Sequence, residues 1–276
     1  MGKIIAFANQ KGGVGKTTTC VNVATYMALM GKKVLILDLD PQGNATSGVG
    51  ITKTKDLKTI YDLIGGDSAY EDVIKTTVVD NLYLIPSTVD LAGAEVELIQ
   101  LPQREKIIKK ILDEIKASYD FILIDCPPSL GLITVNALTA ADSVLIPMQC
   151  EFFSMEGITQ LMNTIRLIKY RDFNPNLDIE GVVMTMKDKR SNFTTQVGNE
   201  VVKFFKQKVY ITTIPRNVRV AEAPSHGLPV ALYDANSKGA EAYLSLTEEI
   251  LKRNDVPFKK ISKVRKIKFK GENDEQ

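Results

Sequence analysis

Apolar runs alternating with helical patterns along the 276 residues predict an α/β fold, a mostly parallel twisted sheet with helices on both faces. Two further observations place chemistry on one edge of that sheet. A glycine-rich loop, NQKGGVGKTT at 9–18, separates the first apolar run from the first helical pattern. Two later apolar runs, VLILDLD and FILID, end in aspartates. That is the carboxyl edge, where open α/β sheets place their ligands.

In chain order, strands are expected at 4–8, 34–38, 82–86, 121–125, 143–147, 181–186 and 209–214. Helices are expected at 17–30, 104–117, 132–140, 154–169, 194–205 and 238–251. No internal repeat or long linker interrupts the pattern before Asn254. The organisation expected is one domain over 1–252 and a basic, flexible tail over 253–276.

The composition, 44% hydrophobic and 25% charged, suffices to bury one large core. No run approaches 18 consecutive apolar residues, and MGKIIAFANQ lacks the segments of a signal peptide, so a cytoplasmic location is expected. Cys20, Cys126 and Cys150 are odd in number and widely spaced. They read as small buried hydrophobes in a reducing compartment. His226, in APSHGLP, has no cluster of ligating residues around it and reads as structural. The net charge of +2 is unevenly spread: residues 253–276 hold eight Lys/Arg and four Asp/Glu, leaving 27 against 29 in the body. A polyanion-binding surface on the body must therefore be a local patch.

The loop carries the first chemistry. KGGVGKTT departs from the phosphate-binding pattern GxxxxGK[ST] at its first position, where Lys11 replaces glycine. A phosphate chain needs converging backbone N–H groups, and side chains at Gly12, Gly13 and Gly15 would block that approach. With Val14 and Thr18 these residues complete the candidate cradle. Lys16 supplies a point charge for the β/γ-phosphates and Thr17 a hydroxyl for Mg²⁺. The reading is a P-loop NTPase.

Asp38 and Asp40 leave the second strand on the same side, by alternation. Asp-Pro followed by Gln-Gly-Asn also makes a good turn. Asp125 ends FILID in the pattern of a carboxylate that holds Mg²⁺ opposite Thr17, and Cys126-Pro127-Pro128 turns the chain away. Farther on, Lys203, Lys206 and Lys208 recur along VVKFFKQK, at spacings that put at least two on one helical face.

KGGVGKTT, LDLDPQGNAT, LAGAE, DCPPSLG, IPRNVR and EAPSHGLP together resemble the ParA/Soj family of chromosome-partitioning ATPases, within the ParA/MinD group, across residues 1–252. The resemblance implies ATP and Mg²⁺ as cofactors and a homodimer with ATP between the protomers. In it Lys11 reaches the phosphates bound by the partner subunit, so Lys11, Lys16 and Asp40 are the expected catalytic residues. Asp40 orients or activates the attacking water, and Asp38 joins Thr17 and Asp125 around the metal. Pro215 and Asn217 lie near the adenine, and the absence of an NKxD motif agrees with ATP over GTP.

Weak, slow hydrolysis suits a switch. The further partners implied are non-specific double-stranded DNA, met by Arg190, Arg216, Arg219, Lys203 and Lys206, and a ParB-like centromere-binding protein that stimulates hydrolysis. The expected location is the nucleoid. With the loop at residue 11, an N-terminal helix-turn-helix domain like that of operator-binding plasmid ParA proteins is not expected. The alternative is a MinD-like membrane-cycling ATPase, favoured only by the tail. There Phe258, Ile261, Val264 and Ile267 drift around a helix and hold no single face, so stable membrane association is not expected.

Overall fold

β1 (Lys3–Phe7), β2 (Val34–Asp38), β3 (Lys75–Thr76), β4 (Leu82–Ile85), β5 (Phe121–Asp125), β6 (Ser143–Gln149) and β7 (Asp178–Thr185) form one sheet in the order β3-β4-β2-β5-β1-β6-β7. All neighbours run parallel except β3 against β4. The structure is a computed structural model and describes residues 2–151, 154–187 and 192–261.

Strand alternation divides the apolar residues between two cores. Ile4 and Ala6 of β1, with Leu35, Leu37, Ile122 and Ile124, face the helices Ile107–Ile115, Leu132–Ala140 and Ser154–Tyr170. Ile5 and Phe7, with Ile36, Phe121 and Leu123, face the helices Lys16–Leu29 and Lys238–Arg253. Burial on both faces explains why these strands read as continuous apolar runs. The same order sets β1 between β5 and β6, and β5 between β1 and β2. In register, Asp125 therefore lies opposite both Phe7 and Asp38.

Three departures from the sequence reading have physical causes. The antiparallel edge strand β3 was not expected; with two residues it has no period to detect. The strand expected at 209–214 is not continuous. Val209 and Pro215 make isolated bridges to Val182 and Lys187, but between them Ile211 and Thr212 donate their N–H groups to the Glu249 carboxylate, each at 2.9 Å. A side chain from the last helix has replaced the ladder, and Ile211 is 89% exposed.

The tail expected to leave the body at 253 stays on it through Ile261. Arg253 lies over the Tyr210 ring and pairs with Glu249 at 2.7 Å. Asn254 donates to Glu180 at 2.6 Å, and Lys259 donates its N–H to the carbonyl of Met30 at 3.3 Å. Val256, Phe258 and Ile261 pack against the second core. The rest of the tail, 262–276, lies outside the described residues.

The close approach of 209–214 to β7 depends on Gly181. A Cβ there would stand 2.4 Å from Cε2 of Tyr210 and 2.8 Å from the carbonyl of Lys208. Gly181→Ala should lower unfolding stability by about 1–3 kcal/mol. Denaturant titration checks it, and an unchanged midpoint would show that the segment yields without cost.

Candidate nucleotide-binding site

The loop after β1 turns through Gly13 (φ 72°) and Gly15 (φ 84°), both left-handed. Gly15 caps the helix Lys16–Leu29, so the helix N-terminus faces the same opening as the loop. Gly12, Gly13, Gly15, Lys16, Thr17 and Thr18 line a cavity of about 630 Å³. Val14 does not: its side chain is buried in the protein. The Lys16 ammonium donates to the Lys11 carbonyl at 3.2 Å. Burial lowers the Lys16 pKa, against the opposing pull of Asp125, Cys126 and Asp40.

Lys11 is placed differently. Its N–H is held by the Asn9 side chain at 3.0 Å, and Asn9 is anchored to the Pro147 carbonyl at 2.8 Å. Its ammonium pairs with Glu151, beyond the end of β6, and the residue does not line its own cavity. Two side chains from the neighbouring strands hold the loop itself: Gln149 donates to the Gly13 carbonyl at 3.0 Å and Thr185 to the Val14 carbonyl at 2.8 Å.

The three aspartates differ. Asp40 lines the cavity and accepts the Gln42 N–H at 2.9 Å, so it serves the turn and faces the opening together. Asp38 is fully buried and occupied: Thr46 donates both N–H and hydroxyl to it at 2.8 Å, and Asp40 its N–H at 3.2 Å. The Thr46 hydroxyl accepts in turn from the Ser87 N–H at 3.0 Å. Burial, with the Asp40 charge nearby, pushes Asp38 up to about 6 against the Thr46 hydrogen bonds.

Asp125 is fully buried, and neither carboxylate oxygen has a hydrogen-bond partner. Burial and the adjacent Asp38 raise its pKa well above the carboxylate range. The Thr17 hydroxyl opposes that shift, although it falls short of a full hydrogen bond. An orphaned carboxyl group near a threonine hydroxyl and a lysine would fit a hard divalent cation.

The remaining expected residues are scattered. Pro215 and Asn217 are not on the cavity wall; Asn217 instead caps the helix Val218–Glu222 by accepting the Val220 N–H. Met186, Ala223, Pro224, Ser225, Leu228 and Pro229 form that side. Arg219 is paired with Glu222 at 3.1 Å and Asp234 at 3.4 Å. Lys203 is paired with Glu200, and Lys208 with Asp178. The helix Asn192–Phe205 ends before Lys206, which takes φ 51° in a 3₁₀ turn, so the lysines do not share one helical face. Arg216 is exposed, and Arg190 lies outside the described residues. Sequence reasoning missed Thr46, Gln149, Thr185 and the wall at 223–229. Thr46 stood within LDLDPQGNAT, whereas Gln149 and Thr185 sit on apolar strands with no local signal.

A family model described as an AAA domain matches residues 2–179. The sporulation initiation inhibitor protein Soj of Bacillus subtilis is 56% identical over 250 residues, covering 91% of this chain and 98% of that one. The chromosome-partitioning ATPase Soj of Treponema pallidum is 50% identical, covering 92% and 99%. Among solved structures, cobyrinic acid a,c-diamide synthase from Mycobacterium smegmatis with bound ADP and magnesium superposes with a TM-score of 0.80 at 34% identity. It covers 92% of this chain and 96% of that one.

The buried carboxylates predict a pH dependence. A folded pKa raised from 3.8 to about 6 means that Asp38 contributes stability below pH 4 that is lost as pH rises through 6. Asp125 acts in the same direction. Asp62, Asp113, Asp178, Glu180 and Glu249 are shifted the opposite way, so the stability they contribute is lost only as pH falls through the carboxylate range. Thermal melts of the nucleotide-free chain should therefore show Tm falling from pH 5 to pH 8. Asp125→Asn should raise Tm at pH 8 and flatten the fall; an equal slope in both proteins counts against this assignment.

Proposed function

The chain belongs to the Soj/ParA family of chromosome-partitioning ATPases, and on that premise we propose that it is an ATP-dependent dimerising switch for DNA segregation. Its substrate is ATP, taken with Mg²⁺. Bound Mg²⁺ supplies charge neutralisation at the β/γ-phosphates. Within the chain, the loop N–H groups hold the phosphates, Lys16 adds a fixed positive charge, and Thr17 with Asp125 accommodates the metal. Asp40, at the cavity wall, receives or orients the water that attacks the γ-phosphate. Asp38 holds the Asp40 backbone and Thr46 in place.

The observation carrying the dimer is the position of Lys11. Its charge is turned out of its own cavity toward a half-exposed Glu151. An ion pair at that exposure contributes little, so exchanging Glu151 for a phosphate held by a second copy is inexpensive. ATP would then join two protomers and bring their basic residues together. Arg216, Arg219, Lys203, Lys206 and Arg190 would meet DNA phosphates without reading sequence. Two of them are paired within one chain, Lys203 with Glu200 and Arg219 with Glu222 and Asp234, so DNA phosphates would have to compete with those acids. A ParB-like protein would stimulate hydrolysis and release the dimer from the nucleoid.

Lys11→Ala should leave nucleotide binding in place while abolishing ATP-dependent dimers in sedimentation; dimers that persist refute the trans role of Lys11. Binding to non-specific duplex DNA should be tested with ADP, with ATP and without nucleotide, using Asp40→Ala to hold the ATP state. Tight, salt-sensitive binding only with ATP supports the switch. Equal binding in all three states, or none in any, overturns it, and the second result would bring membrane cycling forward.

A further inference from the structure

We infer that Thr185 and Gln149 are positioning residues for the phosphate cradle, gripping the loop by its carbonyl oxygens so that its N–H groups aim at the nucleotide. The inference rests on the reading of the cavity as a nucleotide site. A trans peptide is planar, with its C=O and N–H pointing in opposite directions. The peptide carrying the Gly13 carbonyl also carries the Val14 N–H, and the one carrying the Val14 carbonyl also carries the Gly15 N–H. Fixing the two carbonyls on the strand side therefore fixes the two N–H groups on the cavity side.

The grip comes from two strands. Thr185, at the end of β7 and 2% exposed, has both the Val14 carbonyl (2.8 Å) and the Met148 carbonyl (3.0 Å) within reach of its hydroxyl, tying the loop to β6. Its methyl Cγ2 lies 3.9 Å from where a Cβ of Gly15 would stand, so it also supports the underside of the turn. Gln149, at the end of β6, donates through Nε2 to the Gly13 carbonyl at 3.0 Å and contacts Sδ of Met186 at 2.8 Å. Reversing that amide would set two acceptors face to face, so the hydrogen bond fixes its orientation.

Such a grip has a physical reason. Gly13 and Gly15 are left-handed at small steric cost, but glycine is also the residue least able to hold one conformation. The buried Val14 side chain anchors the loop but makes no hydrogen bond that would orient its two peptide planes. Of the other loop carbonyls, that of Lys11 accepts from Lys16, and that of Gly15 from the Thr19 N–H. Without Thr185 and Gln149, the segment 13–15 would spend part of its time with N–H groups misdirected. Apparent affinity falls by the fraction of chains that remain competent.

The test uses the full chain with Mg²⁺ and titrates ADP and ATP by calorimetry, with steady-state ATP hydrolysis alongside. Thr185→Val keeps the shape and removes the hydroxyl. Its Kd for both nucleotides should rise about tenfold, as expected for one buried acceptor left unpaired, with KM rising in parallel and the loss falling on binding more than on kcat. Thr185→Ser should restore affinity to within about twofold of the parent. Gln149→Ala, at a partly exposed strand end, provides a second variant should Thr185→Val fold poorly, and should weaken both nucleotides several-fold. Unchanged Kd in Thr185→Val and Gln149→Ala overturns the inference, as does Thr185→Ser no better than Thr185→Val. A parent chain that binds neither nucleotide overturns the site reading itself, a result distinct from tight parental binding with unaffected variants.

Discussion

The carboxyl group of Asp125 is buried without a full hydrogen bond among the described residues, and the site is arranged around it. It lies at the carboxyl end of β5, flanked by β1 and β2, with Asp38 directly opposite. Burial in a low-dielectric interior raises the pKa of both carboxyl groups, with Asp38 adding to the shift of Asp125 and Asp40 to that of Asp38, and this destabilises the nucleotide-free fold as pH rises. Lys16 offsets only part of the Asp125 shift, and it is itself desolvated and bonded to the Lys11 carbonyl. On the proposed reading, a divalent cation with a phosphate chain would supply what is missing. Stability is thus held back at the position where ligand binding can return it.

From this constraint the division of labour follows. Asp38 does not reach the cavity; its oxygens are consumed by Thr46 and by the Asp40 backbone, and Thr46 passes the connection to Ser87 at the end of β4. Asp40 is left as the carboxylate that faces the opening. On the other side of the loop, β6 and β7 contribute Gln149 and Thr185 through the loop carbonyls. The cradle is consequently held from both flanks of the sheet. Lys11 stands apart, directed along the end of β6 toward Glu151, which suits a charge intended for a second copy.

Most of the sheet was legible because its strands are buried on both faces and bounded by turn residues. Helices such as 132–140 and 154–169 were legible for their length and flanking signals. Two residues of β3 carry no period, and the segment 209–214 looks like a strand because its side chains are strand-like. Its backbone is diverted by Glu249, 38 residues from Ile211 and 37 from Thr212. The lysines of VVKFFKQK have helical spacing, yet the helix stops at Phe205 and Lys206 turns left-handed.

The sequence by itself determined the phosphate loop, the aspartates at the strand ends and the order of elements that brings them to one edge. These are local: glycine spacing, strand-ending acids and periodicity are written in consecutive residues. Only the tertiary structure decided that Asp38 is a buried brace and Asp125 an orphaned carboxyl group, and that Asn217 caps a helix away from the cavity wall. It also decided that residues 254–261 remain on the body. Each of these depends on which groups meet across the sheet. Hydrogen-bond partners separated by tens to hundreds of residues leave no mark in a local pattern.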